Sequence, residues 1–161
     1  MYKQADFKKW LIAASLCPKN AVQGVPEDKI VALEVNTGLT LPTAYKDFLR
    51  DCGSYAGDFA PNLDFLYFSL PFIQEDLADQ LASGAIAPLP ATAFCFMASE
   101  GQVFNYFLCE GEDDPPVYQV VAGRKEIGTP YPTLSAFMRD LMALEQRRLY
   151  PEPDTRWLEE E

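Results

Sequence analysis

Apolar side chains recur at the three- and four-residue spacing of an amphipathic helix near both ends of the chain. The N-terminal face contains Phe7, Trp10 and Leu11, and Asp6 precedes it as a predicted N-cap. Thr133 is the corresponding predicted cap of the C-terminal helix. The apolar face of that helix consists of Leu134, Phe137, Met138, Leu141 and Leu144.

Two further helices are predicted in the first third of the chain. One begins at Pro26, because proline is favoured at a first helical position, and ends at Thr37 before Gly38. The other follows Pro42, and Gly53 is its predicted left-handed stop. Its apolar face has i, i+3, i+4, i+7 spacing and comprises Tyr45, Phe48, Leu49 and Cys52.

Runs of aromatic and β-branched residues predict strands in the middle of the chain. Residues 63–70 are predicted as one strand, followed by a short helix over 72–82. Three more strands are predicted over 92–98, 103–109 and 117–122, the first two joined by a turn at 99–102. This order predicts an α+β fold: a single domain with an antiparallel sheet of about four to six strands and helices packed on it.

The same pattern sets the predicted segment boundaries. Residues 1–25 form an N-terminal helical extension, 26–149 the α+β domain, and 150–161 an acidic C-terminal tail. A chain of 161 residues that is 48% apolar can bury one core but is too short for two ordinary domains.

Charge narrows the range of partners. Thirteen Lys and Arg against 24 Asp and Glu give a net charge of −11. Such a chain repels phosphate backbones and anionic lipid surfaces, so neither direct nucleic-acid binding nor membrane binding is expected. A monomer or weak homodimer that binds another protein is the prediction.

The chain contains no histidine, which excludes Ser-His-Asp and Cys-His catalysis and all histidine-containing metal sites. Its four cysteines form no Cys-x-x-Cys pair and have apolar or aromatic neighbours, so they are interpreted as reduced core residues, although an even number permits two disulfides. No catalytic residue, metal site or cofactor is predicted.

Lys8 and Lys9 followed by an apolar run ending at Cys17 superficially resemble a signal peptide. Asp6 in the basic region and Leu16 before the cysteine argue against one. Because no apolar stretch approaches the roughly 18 residues that a membrane span needs, a cytoplasmic protein is expected.

One motif is distinctive. Residues 34–49 read Glu-x-x-x-Gly-x-x-Leu-Pro-x-x-Tyr-Lys-x-Phe-Leu, and Cys-Gly follows at 52–53. This stretch resembles the N-terminal signature of the SUKH superfamily, which includes cell-wall regulators of the Smi/Knr type and bacterial immunity proteins. The resemblance extends over about residues 26 to 145. Its signature and core positions here are Glu34, Leu41, Pro42, Tyr45, Phe48, Leu49 and Gly53.

The resemblance implies a SUKH-like fold and a non-catalytic binder. The leading hypothesis is an immunity-type protein that neutralises a cognate basic toxin by occluding its active surface. The composition agrees independently, because an acidic domain is complementary to a basic partner such as a nuclease toxin. One alternative is a regulatory or scaffolding module of the Smi/Knr type with a housekeeping partner, and another is a small carboxylate-dependent hydrolase.

Two acidic groups are candidate partner-binding residues. One is a predicted hairpin loop and the other the outer face of the predicted 72–82 helix; either could instead be an ordinary solvated surface. Calcium binding by the loop is discounted because the EF-hand ligand spacing is missing. With two loop aromatics, the candidates are Glu110, Glu112, Asp113, Asp114, Glu75, Asp76, Asp79, Tyr55 and Phe59.

Overall fold

A computed structural model of the chain describes residues 2–159 and confirms the α+β fold as one domain. The helices and strands in this range are α1 (Phe7–Ala13), α2 (Glu27–Thr37), α3 (Thr43–Cys52), α4 (Leu70–Ala82), β1 (Ala93–Ser99), β2 (Val103–Leu108), β3 (Tyr118–Val121) and α5 (Leu134–Leu149). Short 3₁₀ turns lie at Tyr67–Ser69 and Arg156–Glu159.

The sheet of the described chain has three strands, fewer than the four to six predicted. The difference arises at residues 63–70, where a single bridge between Asp64 and Ala98 replaces the predicted strand. Leu70 already begins α4, because Pro71 suits the first helical turn and Leu70, Ile73 and Leu77 then share a buried face. Helical burial therefore prevails over the β-propensity of the aromatic residues.

The antiparallel sheet has the order β1-β2-β3, with β2 at its centre. The β1–β2 register shifts between Cys95 and Met97, which leaves Phe96 as an extra residue at a bulge. The outer edge of β1 is covered, since Asp64 bridges Ala98 and the Gln74 side chain donates to the Cys95 carbonyl over 2.7 Å.

The core is organised around the inner face of α3. The Tyr45 ring is 1% exposed and lies with its centroid 5.1 Å from Phe107, 5.5 Å from Phe94 and 6.1 Å from Phe96. Phe48 continues this face toward α1. The predicted i, i+3, i+4, i+7 stripe is therefore buried as expected, with Tyr45 against the sheet and Phe48 against α1.

Both ends of the described chain also pack on the core. Phe7 of α1 is fully buried, and its ring meets that of Phe48 edge-on with a centroid separation of 5.4 Å. Trp157 is 5% exposed and donates from Nε1 to Gln146 on α5. The segment after α5 is therefore held to the domain by a buried aromatic ring.

The predicted N-caps form as expected, since the Asp6 and Thr133 side chains accept from the amides of Lys9 and Ala136. Gly38 ends α2 in the left-handed conformation, with φ of 69°. The expectation of a left-handed stop at Gly53 is wrong, because its φ is −67°. Gly53 is instead required by close packing: a Cβ there would lie 2.8 Å from the Cα of Leu49.

We predict that Gly53→Ala destabilises the protein by about 1–3 kcal/mol, the usual cost of overpacking against rigid backbone. Gly128→Ala is the matched control, because a Cβ at Gly128 meets nothing within 4 Å. Urea unfolding of both variants measures the difference. Equal stabilities would contradict the packing argument.

Candidate functional site

The acidic loop, residues 110–114, connects β2 to the segment before β3 and lies against the N-termini of two helices. The Asp113 carbonyl accepts from the Ala44 amide over 2.8 Å, and its carboxylate accepts from the Thr43 hydroxyl over 2.8 Å. The Asp114 carboxylate accepts from both the amide and the hydroxyl of Ser135 at the start of α5. These two carboxylates therefore satisfy donors at the starts of α3 and α5.

This placement gives the acidic loop a structural role. A negative charge at a helix N-terminus is stabilised by the helix dipole and by unpaired backbone amides. Glu110 is also engaged, since its carboxylate accepts from Thr92 over 2.8 Å. Glu112 is the loop acid that is exposed and makes no hydrogen bond or ion pair with residues 2–159.

The acids of α4 are placed differently. Glu75 and Asp79 are exposed and Asp76 is half-buried, on the side toward the Ser99–Val103 turn. Within residues 2–159, none of the ion pairs involves these three carboxylates. Their charge is therefore available to an external cation.

The arrangement on α4 also opposes helix stability. Glu75 and Asp79 are four residues apart, and such like-charged pairs repel on a helix. Asp79 lies in the last turn, where the dipole disfavours negative charge, and α4 has no basic residue in that turn. Glu75 and Asp79 thus do not stabilise their helix, whereas Asp113 and Asp114 stabilise the starts of α3 and α5.

The two acidic groups do not form one surface. The acidic loop lies at the open end of the β1–β2 hairpin, whereas Gln80 of α4 donates to the Gly101 carbonyl at its closed end. Since β2 has six residues, the two ends are about 20 Å apart at the usual rise of a strand. A partner that contacts α4 therefore need not reach the acidic loop.

The two candidate aromatics differ in exposure. Tyr55 is 46% exposed and pairs through its backbone with Gln23. Phe59 is 1% exposed and its ring lies 5.1 Å from that of Phe65. Because this ring is buried in the core, Phe59 is not accessible to a partner.

Two exposed aromatics were not predicted from the sequence. Phe68 and Phe72 are 65% and 64% exposed. Phe68 falls in the expected strand over 63–70, whereas it lies in the 3₁₀ turn before α4. Phe72 falls in the expected helix over 72–82, and the periodicity of that helix did not mark it as exposed. The signal that could have found them is Pro71, which marks an earlier helix start.

The signature residues stabilise the fold and do not form an exposed surface. Leu41, Pro42, Tyr45, Phe48, Leu49 and Gly53 are buried. Glu34 accepts from the Leu41 amide over 2.8 Å, and its carboxylate lies 3.8 Å from the Lys46 ammonium. It therefore fixes the link between α2 and α3, which explains the spacing of the motif in physical terms.

The thiols are not activated as nucleophiles. Burial raises the pKa of Cys95 to about 12, and burial together with Glu34 and Glu110 raises the pKa of Cys109 to about 11. Burial also raises the pKa of Cys17 and Cys52. All four cysteines are free, and protonated thiols at neutral pH are poor nucleophiles.

Residues 2–159 contain no cluster of three or more Cys, Asp and Glu that could hold a metal ion. In the same range, no helix has the length and apolar character to cross a membrane.

Comparison with known families decides the relationship. The model of the SMI1 / KNR4 family (SUKH-1) matches residues 24–140, most of the chain. The chain belongs to the SMI1/KNR4 (SUKH-1) family. Comparison with curated proteins and with solved structures finds no match.

The resemblance inferred from residues 34–49 is thus confirmed. The SMI1/KNR4 match includes both acidic groups and the exposed Phe68 and Phe72, whereas α1 and the docked Trp157 lie outside it. In this SMI1/KNR4 domain, the signature residues position α2 and α3, and the exposed charge lies elsewhere.

We predict that Asp114→Ala costs about 1–2 kcal/mol of stability, because the amide and hydroxyl of Ser135 lose their acceptor. Glu112→Ala, which removes a neighbouring exposed acid, should change stability by less than about 0.5 kcal/mol. Chemical unfolding measures both. If Glu112→Ala were more destabilising than Asp114→Ala, the loop charge would not stabilise the fold through the start of α5.

Proposed function

We propose that this SMI1/KNR4-family domain is a non-catalytic protein-binding protein of the immunity type. It neutralises a cognate basic toxin by covering the toxin's active surface. One observation carries the proposal: Glu75, Asp76 and Asp79 of α4 are unpaired within residues 2–159 and are placed where they do not stabilise their helix. Membership of the family supports protein binding.

The charge of the chain supports a basic partner. A net charge of −11 accelerates encounter with a cationic surface and disfavours acidic competitors. A toxin that acts on nucleic acid needs a cationic surface for its substrate. An acidic domain bound there blocks the substrate without chemistry of its own.

The proposed setting is the cytoplasm, with the protein as a monomer or weak homodimer. The four free cysteines, three of them buried, suit a reducing compartment. Self-repulsion between copies of such an acidic chain favours the monomer.

A second candidate is a regulatory or scaffolding module of the Smi/Knr type with a housekeeping partner. The family match supports this function as well as the first, because it covers the domain and not the partner. The two candidates differ in the identity of the bound protein, which affinity capture reveals.

We predict that tagged full-length protein, expressed in its own cells, captures one basic partner that elevated salt releases. Electrostatic attraction between exposed charges is screened by salt, which explains the release. Mass spectrometry identifies the eluted proteins. A set of housekeeping proteins retained at high salt would contradict the immunity function and favour the regulatory one.

With that partner, Glu75→Lys/Asp79→Lys should slow association about tenfold or more. Two matched variants shift the net charge equally: Glu110→Lys/Glu112→Lys in the acidic loop and Asp140→Lys/Glu152→Lys at exposed positions elsewhere. Surface plasmon resonance compares the three association rates. Equal slowing in all three would contradict a local role of α4, and selective slowing in the loop variant would assign binding to the loop.

A further inference from the structure

An apolar groove lies between α2 and the start of α4. It has a volume of about 280 Å³. Its apolar wall is built by Leu33 of α2, Tyr67 of the 3₁₀ turn before α4, Leu70 at the start of α4, and Phe94 of β1. Asn36 and Gln74 form part of its rim.

The exposed aromatic residues adjoin this groove. Phe68, in the 3₁₀ turn before α4, lines it, and Phe72 lies in the first turn of α4; both are about two-thirds exposed. Val31 and Val35 form another exposed apolar pair, on the face of α2 turned away from Leu33. Contiguous exposed apolar surface next to a concavity is typical of an interaction site.

Phe68 and Phe72 form an aromatic ridge, which is followed along α4 by the acidic residues. Phe72, Glu75 and Asp79 follow each other at three- and four-residue spacing on one face. At the helical rise per residue, Glu75 lies about 4.5 Å and Asp79 about 10 Å beyond Phe72 along the axis. The surface therefore presents an apolar concavity at one end and negative charge at the other.

We propose that this groove and ridge dock a basic polypeptide segment of the partner. The segment inserts one apolar side chain between α2 and α4 and places lysine or arginine side chains along Glu75 and Asp79. This inference rests on the proposed function, and adds to it the chemistry that the partner must present.

Charge selects this occupant over a second copy of the chain. A twofold pairing through this surface brings equivalent faces, each with Glu75 and Asp79, toward one another. Like charges brought together at an interface oppose association. The nearby cation Lys29 lies over the Tyr67 ring, 6.0 Å from its centroid, so the acids are left for an external cation.

The test uses the full chain, labelled with ¹⁵N, and synthetic peptides as probes. The first probe is acetyl-KKSWSKK-amide, the second replaces its tryptophan with serine, and the third replaces every lysine with glutamate. The first peptide should shift the amide resonances of Asn36, Phe68 and Glu75. Loss of the tryptophan or of the lysines should weaken binding about tenfold or more, as expected for a buried aromatic anchor and for paired charges.

Two variants locate the contact. Phe68→Ser/Phe72→Ser should weaken binding of the tryptophan peptide about tenfold, whereas Val31→Ser/Val35→Ser should leave it unchanged. All four residues are at least half exposed, so both variants should retain the fold, which their resonance spectra verify. Equal weakening by both would overturn the groove assignment.

The remaining outcomes separate this inference from the proposed function. Equal binding of the tryptophan and serine peptides overturns the apolar anchor but leaves capture of a basic partner intact. If the captured basic partner binds the Phe68→Ser/Phe72→Ser variant as tightly as the unmodified protein, the apolar anchor is likewise overturned and the proposed function is not. Concentration-dependent self-association that Phe68→Ser/Phe72→Ser abolishes, measured by analytical ultracentrifugation, would show that a second copy occupies the groove and overturn the inference.

Discussion

The packing of α3 against the aromatic face of β1 and β2 is the contact on which the other elements depend. The Tyr45 ring contacts Phe94, Phe96 and Phe107 of these strands, and Phe48 extends the cluster to Phe65, all at the separations of attractive aromatic pairs. The start of α3 is then fixed from two sides, by Glu34 through Leu41 and by Asp113 through Ala44. The buried Tyr45 hydroxyl has no partner among residues 2–159, so the ring and not its polar group provides the stabilisation.

Negative charge has two different roles in this structure. At the acidic loop, Asp113 and Asp114 compensate the starts of α3 and α5, so their charge is part of folding. On α4, Glu75 and Asp79 repel each other, and Asp79 lies at the unfavourable end of the dipole. Net charge alone does not distinguish these cases, because it counts both groups equally. The hydrogen-bond partners distinguish the two groups. Because the acids of α4 lack such partners within residues 2–159, α4 is the better candidate for a binding surface.

Local rules predicted most of the helices. Asp6, Thr133 and the stripe of α3 act through neighbours within one or two turns, which the sequence displays directly. The errors concern contacts that periodicity does not show. Gly53 is buried between the backbone of Leu49 and the side chain of Val25, which is distant in sequence, and Phe59 is covered by Phe65. The aromatic residues of 63–70 suit a strand, and the strand expected there concealed the exposure of Phe68. Part of the candidate site was therefore missed, although Pro71 marks the earlier helix start.

The exposed aromatic residues and unpaired acids of α4 and the turn before it have a joint consequence. Each is unfavourable for the isolated domain: Phe68 and Phe72 leave apolar surface in water, and the acids weaken α4. A basic partner with an apolar anchor removes both penalties at once, since burial of the rings excludes water and thereby strengthens the charge pairs beside them. The two contributions are therefore cooperative in binding. If the aromatic residues and the acids bound the partner at separate sites, replacing Phe68 and Phe72 by serine would leave the salt dependence of association unchanged. If they form one site, the same replacement changes that salt dependence.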